Sequence, residues 1–184
     1  KKYHPAAVMY VWQGGQEGGN GVADVLTGRV NPCGKLTDTI ARDISDYPAD
    51  QNFGKKKKNY YKEDIYVGYR YFETLASDRV LYPFGYGLSY TEFQTEAMFE
   101  FDFQDEIRVR VCVKNIGKRP GKEVTQIYIR LPQGRLGKPA RVLAGFYKTP
   151  ELQPGESIDV MVSCKKIYFA SFDDLGEAGH PGCM

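Results

Sequence analysis

Beyond residue 96 the apolar residues settle into a period of two, loosely at Met98, Phe99, Phe101 and Phe103, then strictly at Ile107, Val109, Val111 and Val113. Successive side chains of an extended strand point to opposite faces, so this alternation specifies strands with one face buried and one in water. Further strand-like runs follow at 123–130, 141–148 and 157–163, each separated from the next by Gly and Pro turns. Short strands punctuated in this way make an antiparallel β-sandwich. After the aromatic run at 168–174 the sandwich is expected to lack one or two closing strands.

The first third of the chain obeys a different period. Residues 5–12 form a short continuous apolar run, the pattern of a strand buried on both faces of a parallel sheet. A glycine-rich turn follows, and then Val22, Val25 and Leu26 fall on one helical face, with Asn20 placed to cap the start and Gly28 to form a left-handed exit. Strand, turn and helix belong in an α/β layer, but one of each cannot bury a doubly wound sheet. Residues 38–61, rich in Asp, Pro, Asn, Gly and Lys, read as a long surface excursion. The expected fold class is therefore an α/β portion over 1–93 followed by an all-β sandwich over 94–184.

With 184 residues, 42% of them hydrophobic and 14% aromatic, the chain can bury real cores. Its net charge of +2 and the lack of a basic stripe interleaved with aromatics argue against a nucleic-acid partner. The one charge run, from Lys55 through Lys58, reads as a solvated loop. No apolar run reaches the roughly 20 residues that cross a bilayer, and no leader is visible after Lys1, so no membrane partner is expected and the location leans cytoplasmic. Cys33, Cys112, Cys164 and Cys183 are scattered without a C-x-x-C pair, which removes metal-site spacing and leaves free thiols as the default. Cys112 and Cys164 lie in strand-like runs and remain the one pair that could meet across a sandwich.

Nucleotide chemistry fails on spacing. Gly14 and Gly19 are separated as in a P-loop, yet Asn20 and Gly21 stand where Lys and Ser or Thr are needed, and the dinucleotide fingerprint of glycines is absent. His4 and His180, the only histidines, lie near the chain ends without a Gly-x-Ser-x-Gly elbow, so a triad hydrolase is not supported. Paired carboxylates, as in glycoside hydrolysis, remain chemically open.

The stretch 62–93 packs Tyr66, Tyr69, Tyr71, Phe72, Tyr82, Phe84, Tyr86 and Tyr90 among Gly68, Pro83, Gly85 and Gly87. Residues 65–72 read as a strand-type run and 82–90 as a rigid aromatic turn. This stretch resembles the segment that closes the α/β sandwich domain of glycoside hydrolase family 3 and leads into its fibronectin type III-like domain. Three more segments are similar to that family in the same order: the Gln13 to Leu36 glycine turn, helix and Asn31-Pro32-Cys33-Gly34 exit; Val113-Lys114-Asn115-Ile116-Gly117 with Pro120-Gly121-Lys122-Glu123; and Leu143-Ala144-Gly145-Phe146 with Leu152-Gln153-Pro154-Gly155-Glu156.

The resemblance implies the end of a flavodoxin-like α/β sandwich, then an immunoglobulin-like or fibronectin type III-like sandwich. It also implies a retaining, exo-acting β-glycosidase of β-glucosidase type, with a β-linked glucoside or oligosaccharide as substrate and no cofactor or metal. In that family the nucleophile is an aspartate of a (β/α)8 barrel and the acid/base precedes the part matched here, so this chain is expected to supply no catalytic residue. The barrel would come from the same polypeptide or a companion chain. Glu17, Glu63 and Glu73 fall in matched motifs with no catalytic role in the family. Glu17, Tyr60 and Tyr61 are candidates for lining the substrate site. Tyr66, Tyr69, Tyr71, Tyr82, Phe84, Tyr86 and Tyr90 are candidates for packing between domains. A free-standing carbohydrate-binding or interaction module is the alternative, because aromatic rings also stack on sugars.

Overall fold

The computed structural model describes residues 3–54, 57–101, 106–132, 134–173, 176 and 182–183. The β-sandwich carries most of the regular structure. Its larger sheet consists of β3 (Phe93–Phe101), β4 (Glu106–Asn115) and β7 (Ser157–Lys165), antiparallel in the order β3-β4-β7, and its smaller sheet pairs β5 (Val124–Ile129) with β6 (Val142–Lys148). On β4 the period-two reading holds residue by residue: Val109, Val111, Val113 and Asn115 are buried while Arg108, Arg110 and Lys114 are exposed. On β3 the neighbours Met98 and Phe99 are both exposed, and Phe103 and the side chain of Phe101 lie outside the described residues. On β7 the inward set is Val160, Val162 and Cys164. The register places Val109 opposite Val162 and Val111 opposite Val160, and Ala144, Leu152 and the half-buried Ile127 and Ile129 close the core from the other side. Gly145 lets the sheets approach, since a Cβ there would lie 2.7 Å from Val162.

Cys112 and Cys164 do not meet. Cys164 points into the core opposite Ile107, whereas Cys112 sits across from Asp159 on the other face, and both are free thiols, as is Cys33. Burial pushes the Cys164 thiol up, and a hydrogen bond with Asp159 does the same to Cys112. His180, Lys55 and Lys56 lie outside the described residues, as does the side chain of Cys183; Lys57 and Lys58 are exposed.

The α/β portion departs from expectation in three places. Residues 5–12 form no strand, and Trp12 is 65% exposed with a left-handed φ of 60°. A strand exists only within a ladder, and no described segment of this chain lies beside these residues to complete one. Helix α1 (Gly18–Leu26) starts earlier than expected: Glu17 is its N-cap residue, and Asn20 lies inside it, its amide donating back to the Glu17 carboxylate. Gly28 does take the left-handed exit, at φ +74°. The third departure is α2 (Tyr69–Leu75), a helix where the composition reads as strand. Gly68, at φ +59°, turns the chain into it, and burial of Phe72 and Ala76 against Ala41 fixes it. Tyr47 and Tyr71 pack edge-on against the Phe72 ring at 5.4 and 5.2 Å.

The excursion at 38–61 is partly ordered. It contributes β1 (Ile40–Ala41), antiparallel to β2 (Val80–Tyr82), and a single helical turn, Ile44–Asp46, closed by a reciprocal Asp43 and Asp46 capping box.

Candidate functional site

Helix α2 is the centre of the junction between the two portions. Tyr69 and Glu73 stand four residues apart, hence on one helical face, and that face meets the start of β6. The Tyr69 hydroxyl accepts from the Leu143 amide at 2.8 Å, while Glu73 takes both ends of a forked ion pair from Arg141. Thr74, on the next turn, accepts from the Ala140 amide at 2.9 Å. Above these bonds lies an aromatic stack: Tyr69 on Phe84 at 4.7 Å, Tyr69 edge-on to Tyr128 at 6.1 Å, and the Arg141 guanidinium over the Tyr128 ring at 4.6 Å. Glu73 holds the Arg141 guanidinium above its usual range.

A bidentate pair with one carboxylate largely buried couples more strongly than an exposed surface pair. We expect a double-mutant cycle of Glu73→Ala and Arg141→Ala, read by urea unfolding, to give a coupling of about 1–2 kcal/mol. A coupling near zero would show the pair to be incidental.

Tyr128 titrates out of the ordinary range. Burial pushes its hydroxyl up to about 12, against the opposing pull of Arg141. A tyrosine in the unfolded chain loses its proton near pH 10, so the folded state holds the proton more tightly. Stability from this group is complete below about pH 10 and is lost as pH rises toward about 12. Urea unfolding between pH 9 and 12 should show a Tyr128→Phe variant losing less stability than the parent over that window.

A second set of ties comes from the Asn-Pro-x-Gly exit. Asn31 accepts from the Ser89 hydroxyl at 2.9 Å and the Tyr90 amide at 2.8 Å, and its own amide donates to the Pro120 carbonyl at 2.9 Å. Lys35 forms a half-buried ion pair with Glu123 at 2.9 Å and donates to the Gly87 carbonyl. Asn115, fully buried, accepts from the Thr91 hydroxyl and the Gly117 amide, and donates to the Arg119 and Leu152 carbonyls. Arg119 in turn reaches the Tyr90 ring and the Gly28 carbonyl.

The candidate packing residues share this junction in different ways. Tyr66 bonds the Gly137 carbonyl, Tyr69 and Phe84 stack, Tyr82 and Tyr86 lie 5.2 Å apart, and the Tyr90 hydroxyl donates to the Val25 carbonyl at 3.0 Å. Tyr71 faces Phe72 in the core of the α/β portion instead. Of the candidate substrate residues, Tyr60 and Tyr61 line one cavity of about 430 Å³ together with Phe53 and Glu63. Glu17 does not line it; its carboxylate is bonded to Asn20 on α1. Sequence reasoning missed Asn31, Lys35, Asn115 and the Glu73 to Arg141 pair. Asn115 had a signal, because it continues the inward parity of Val109, Val111 and Val113 and is polar.

Residues 1–90 match the Glycosyl hydrolase family 3 C-terminal domain, and residues 123–178 the Fibronectin type III-like domain. The chain is 52% identical over 179 residues to a Beta-glucosidase of Ruminococcus albus, covering 97% of this chain and 19% of that protein. It is 49% identical over 190 residues to Beta-glucosidase A of Butyrivibrio fibrisolvens, covering 94% and 23%. The solved beta-glucosidase from Paenibacillus barengoltzii superposes with a TM-score of 0.87 at 53% identity over 92% of this chain and 19% of that one. Beta-glucosidase 3B from Thermotoga neapolitana, solved in complex with glucose, gives 0.83 at 47% identity over 89% and 23%. The chain thus spans about a fifth of the length of the curated relatives it matches.

Proposed function

The chain belongs to glycoside hydrolase family 3, carrying its C-terminal domain and a fibronectin type III-like domain, and from that premise we propose that it is the supporting portion of a retaining, exo-acting β-glycosidase of β-glucosidase type. The substrate is then a terminal β-linked glucoside or oligosaccharide, hydrolysed through a glycosyl intermediate by two carboxyl groups about 5–5.5 Å apart. A (β/α)8 barrel, in the same polypeptide or a companion chain, supplies the nucleophile. The boundary falls at Phe93 and Gln94, and Glu17, Tyr60 and Tyr61 are assigned to the substrate side of the assembled enzyme.

The observation that carries this reading is the junction itself. Glu73, its mostly buried carboxylate, is engaged at both oxygens by Arg141 and so serves as a tie, not as a proton donor. The Tyr69 hydroxyl, accepting from the Leu143 amide, and the Asn115 amide are likewise engaged in holding strands and turns together. Rigidity of this kind has catalytic value when acid and nucleophile stand on separate domains, because a displacement of about 1 Å can cost roughly 100-fold in rate.

The test is hydrolysis of an aryl β-glucoside by this purified chain, with its intact mass measured in the same sample. The expected result is no turnover from a single species. Turnover from that species would place a catalytic carboxylate pair within these 184 residues and overturn the supporting role.

A further inference from the structure

The larger sheet of the sandwich ends in a strand with few of the devices that keep sheet edges apart. Among the described residues β3 (Phe93–Phe101) pairs with β4 alone, so its other edge borders no strand of the sheet. An edge strand is a template for pairing with another chain, and natural edges are commonly blunted by lysine, proline or a bulge. β3 contains neither lysine nor proline, and its register with β4 runs unbroken over all nine residues. Its second half is apolar and exposed on both faces. Met98 is 66% exposed on the outer face, and Phe99 is 64% exposed on the inner face, although Val109 opposite it is buried.

The order of residues along the strand selects a second copy of the same strand as its partner. Ala97 is the midpoint of Phe93–Phe101, so a two-fold axis through it overlaps two antiparallel β3 strands along their whole length, with a small side chain at the crossing. Residues equally far from Ala97 then stand opposite each other: Thr95 meets the second copy's Phe99, and Glu96 meets its Met98. Inner-face side chains stay on the inner face, so the apolar face of one sheet continues into the other. Among the described side chains no like charges stand opposite in this register, whereas an axis one residue earlier would set Glu96 against Glu96. We propose that β3 is a self-association surface, along which two copies of this chain pair antiparallel about Ala97 and join their three-stranded sheets into one. This pairing uses only the sandwich and so stands apart from the glycosidase reading.

The experiment is sedimentation velocity of this chain from about 5 to 500 µM, a range suited to a small interface, on the parent, Met98→Glu and Met98→Lys. The parent is expected to show a reversible monomer–dimer equilibrium. Met98→Glu sets a carboxylate against Glu96 twice in each dimer and weakens association about 10-fold, whereas Met98→Lys sets an ammonium there and tightens it about 3-fold. Within its own sheet Met98 lies across from Arg110, so Met98→Glu gains an opposite charge and keeps the fold, which an unchanged or raised melting temperature verifies. A parent that stays monomeric at every concentration overturns the proposal. So does a dimer indifferent to both Met98 variants, since association would then run through another exposed apolar surface, such as residues 8–12.

Discussion

Replacing Asn115 with aspartate lowers the unfolding free energy by about 3–5 kcal/mol at pH 7, the cost typical of an uncompensated buried charge. The direction of its amide is fixed by what surrounds it: Oδ1 receives the Thr91 hydroxyl at 2.8 Å and the Gly117 amide at 3.1 Å, while Nδ2 donates to the Arg119 carbonyl at 2.8 Å and the Leu152 carbonyl at 2.9 Å. Aspartate keeps the first two bonds and turns its second oxygen onto two carbonyls that can only accept. The side chain is fully buried, so water cannot relieve the repulsion. Protonation can, in part, because a carboxylic acid donates once.

The folded-state pKa of the new aspartate therefore lies above its unfolded value near 3.9. By linkage, its penalty is full well above the folded pKa and shrinks as pH falls through it toward the unfolded value. Urea unfolding of parent and variant at matched pH values from 4 to 8 measures this directly. A difference below about 1 kcal/mol at pH 7 would mean that Asn115 is not the hub described.

The same residue shows what could and could not be read in advance. Parity along β4 placed Val109, Val111 and Val113 inward, and Asn115 follows on that face, so a buried polar group was implied by position alone. Its partners were not, since Leu152 lies 37 residues away. The strands were legible because a half-buried face imposes its period on each residue separately. Helix α2 was hidden for the opposite reason: Tyr69, Arg70, Tyr71 and Phe72 suit a strand by composition, and the helix is selected by the Phe72 contact with Ala41 and by the left-handed Gly68. Residues 5–12 show the same dependence from the other side, an apolar run that forms no ladder without neighbours. At the site, the aromatic residues announced themselves as a cluster, whereas Glu73 and Arg141, 68 residues apart, carried no local mark of their pairing.

Gly87→Ala should be comparably damaging, at about 3 kcal/mol or more. A Cβ at Gly87 would lie 2.2 Å from the Gly34 carbonyl oxygen and 3.3 Å from its carbon, a collision with backbone and not with a movable side-chain end. Neither strand of the contact can retreat easily. On one side, Leu36 and the turn are laced by the Leu36 amide to the Tyr86 carbonyl at 2.8 Å and the Gly85 amide to the Leu36 carbonyl at 2.7 Å. On the other, Lys35 is fixed to both Glu123 and the Gly87 carbonyl, so displacement of the turn also strains the tie to the sandwich. Gly34→Ala is the internal control, for a Cβ there meets nothing within 4 Å. It should change stability by less than about 1 kcal/mol. Thermal and urea unfolding of the two variants side by side therefore tests close approach in particular: equal effects from Gly34→Ala and Gly87→Ala would show that loss of glycine flexibility, and not the collision, governs the turn. On the proposed reading, in which a barrel joins this chain, the same contact connects turn, Lys35 and Glu123 across the junction, so Gly87→Ala should depress aryl β-glucoside turnover together with stability, while Gly34→Ala leaves both near the parent.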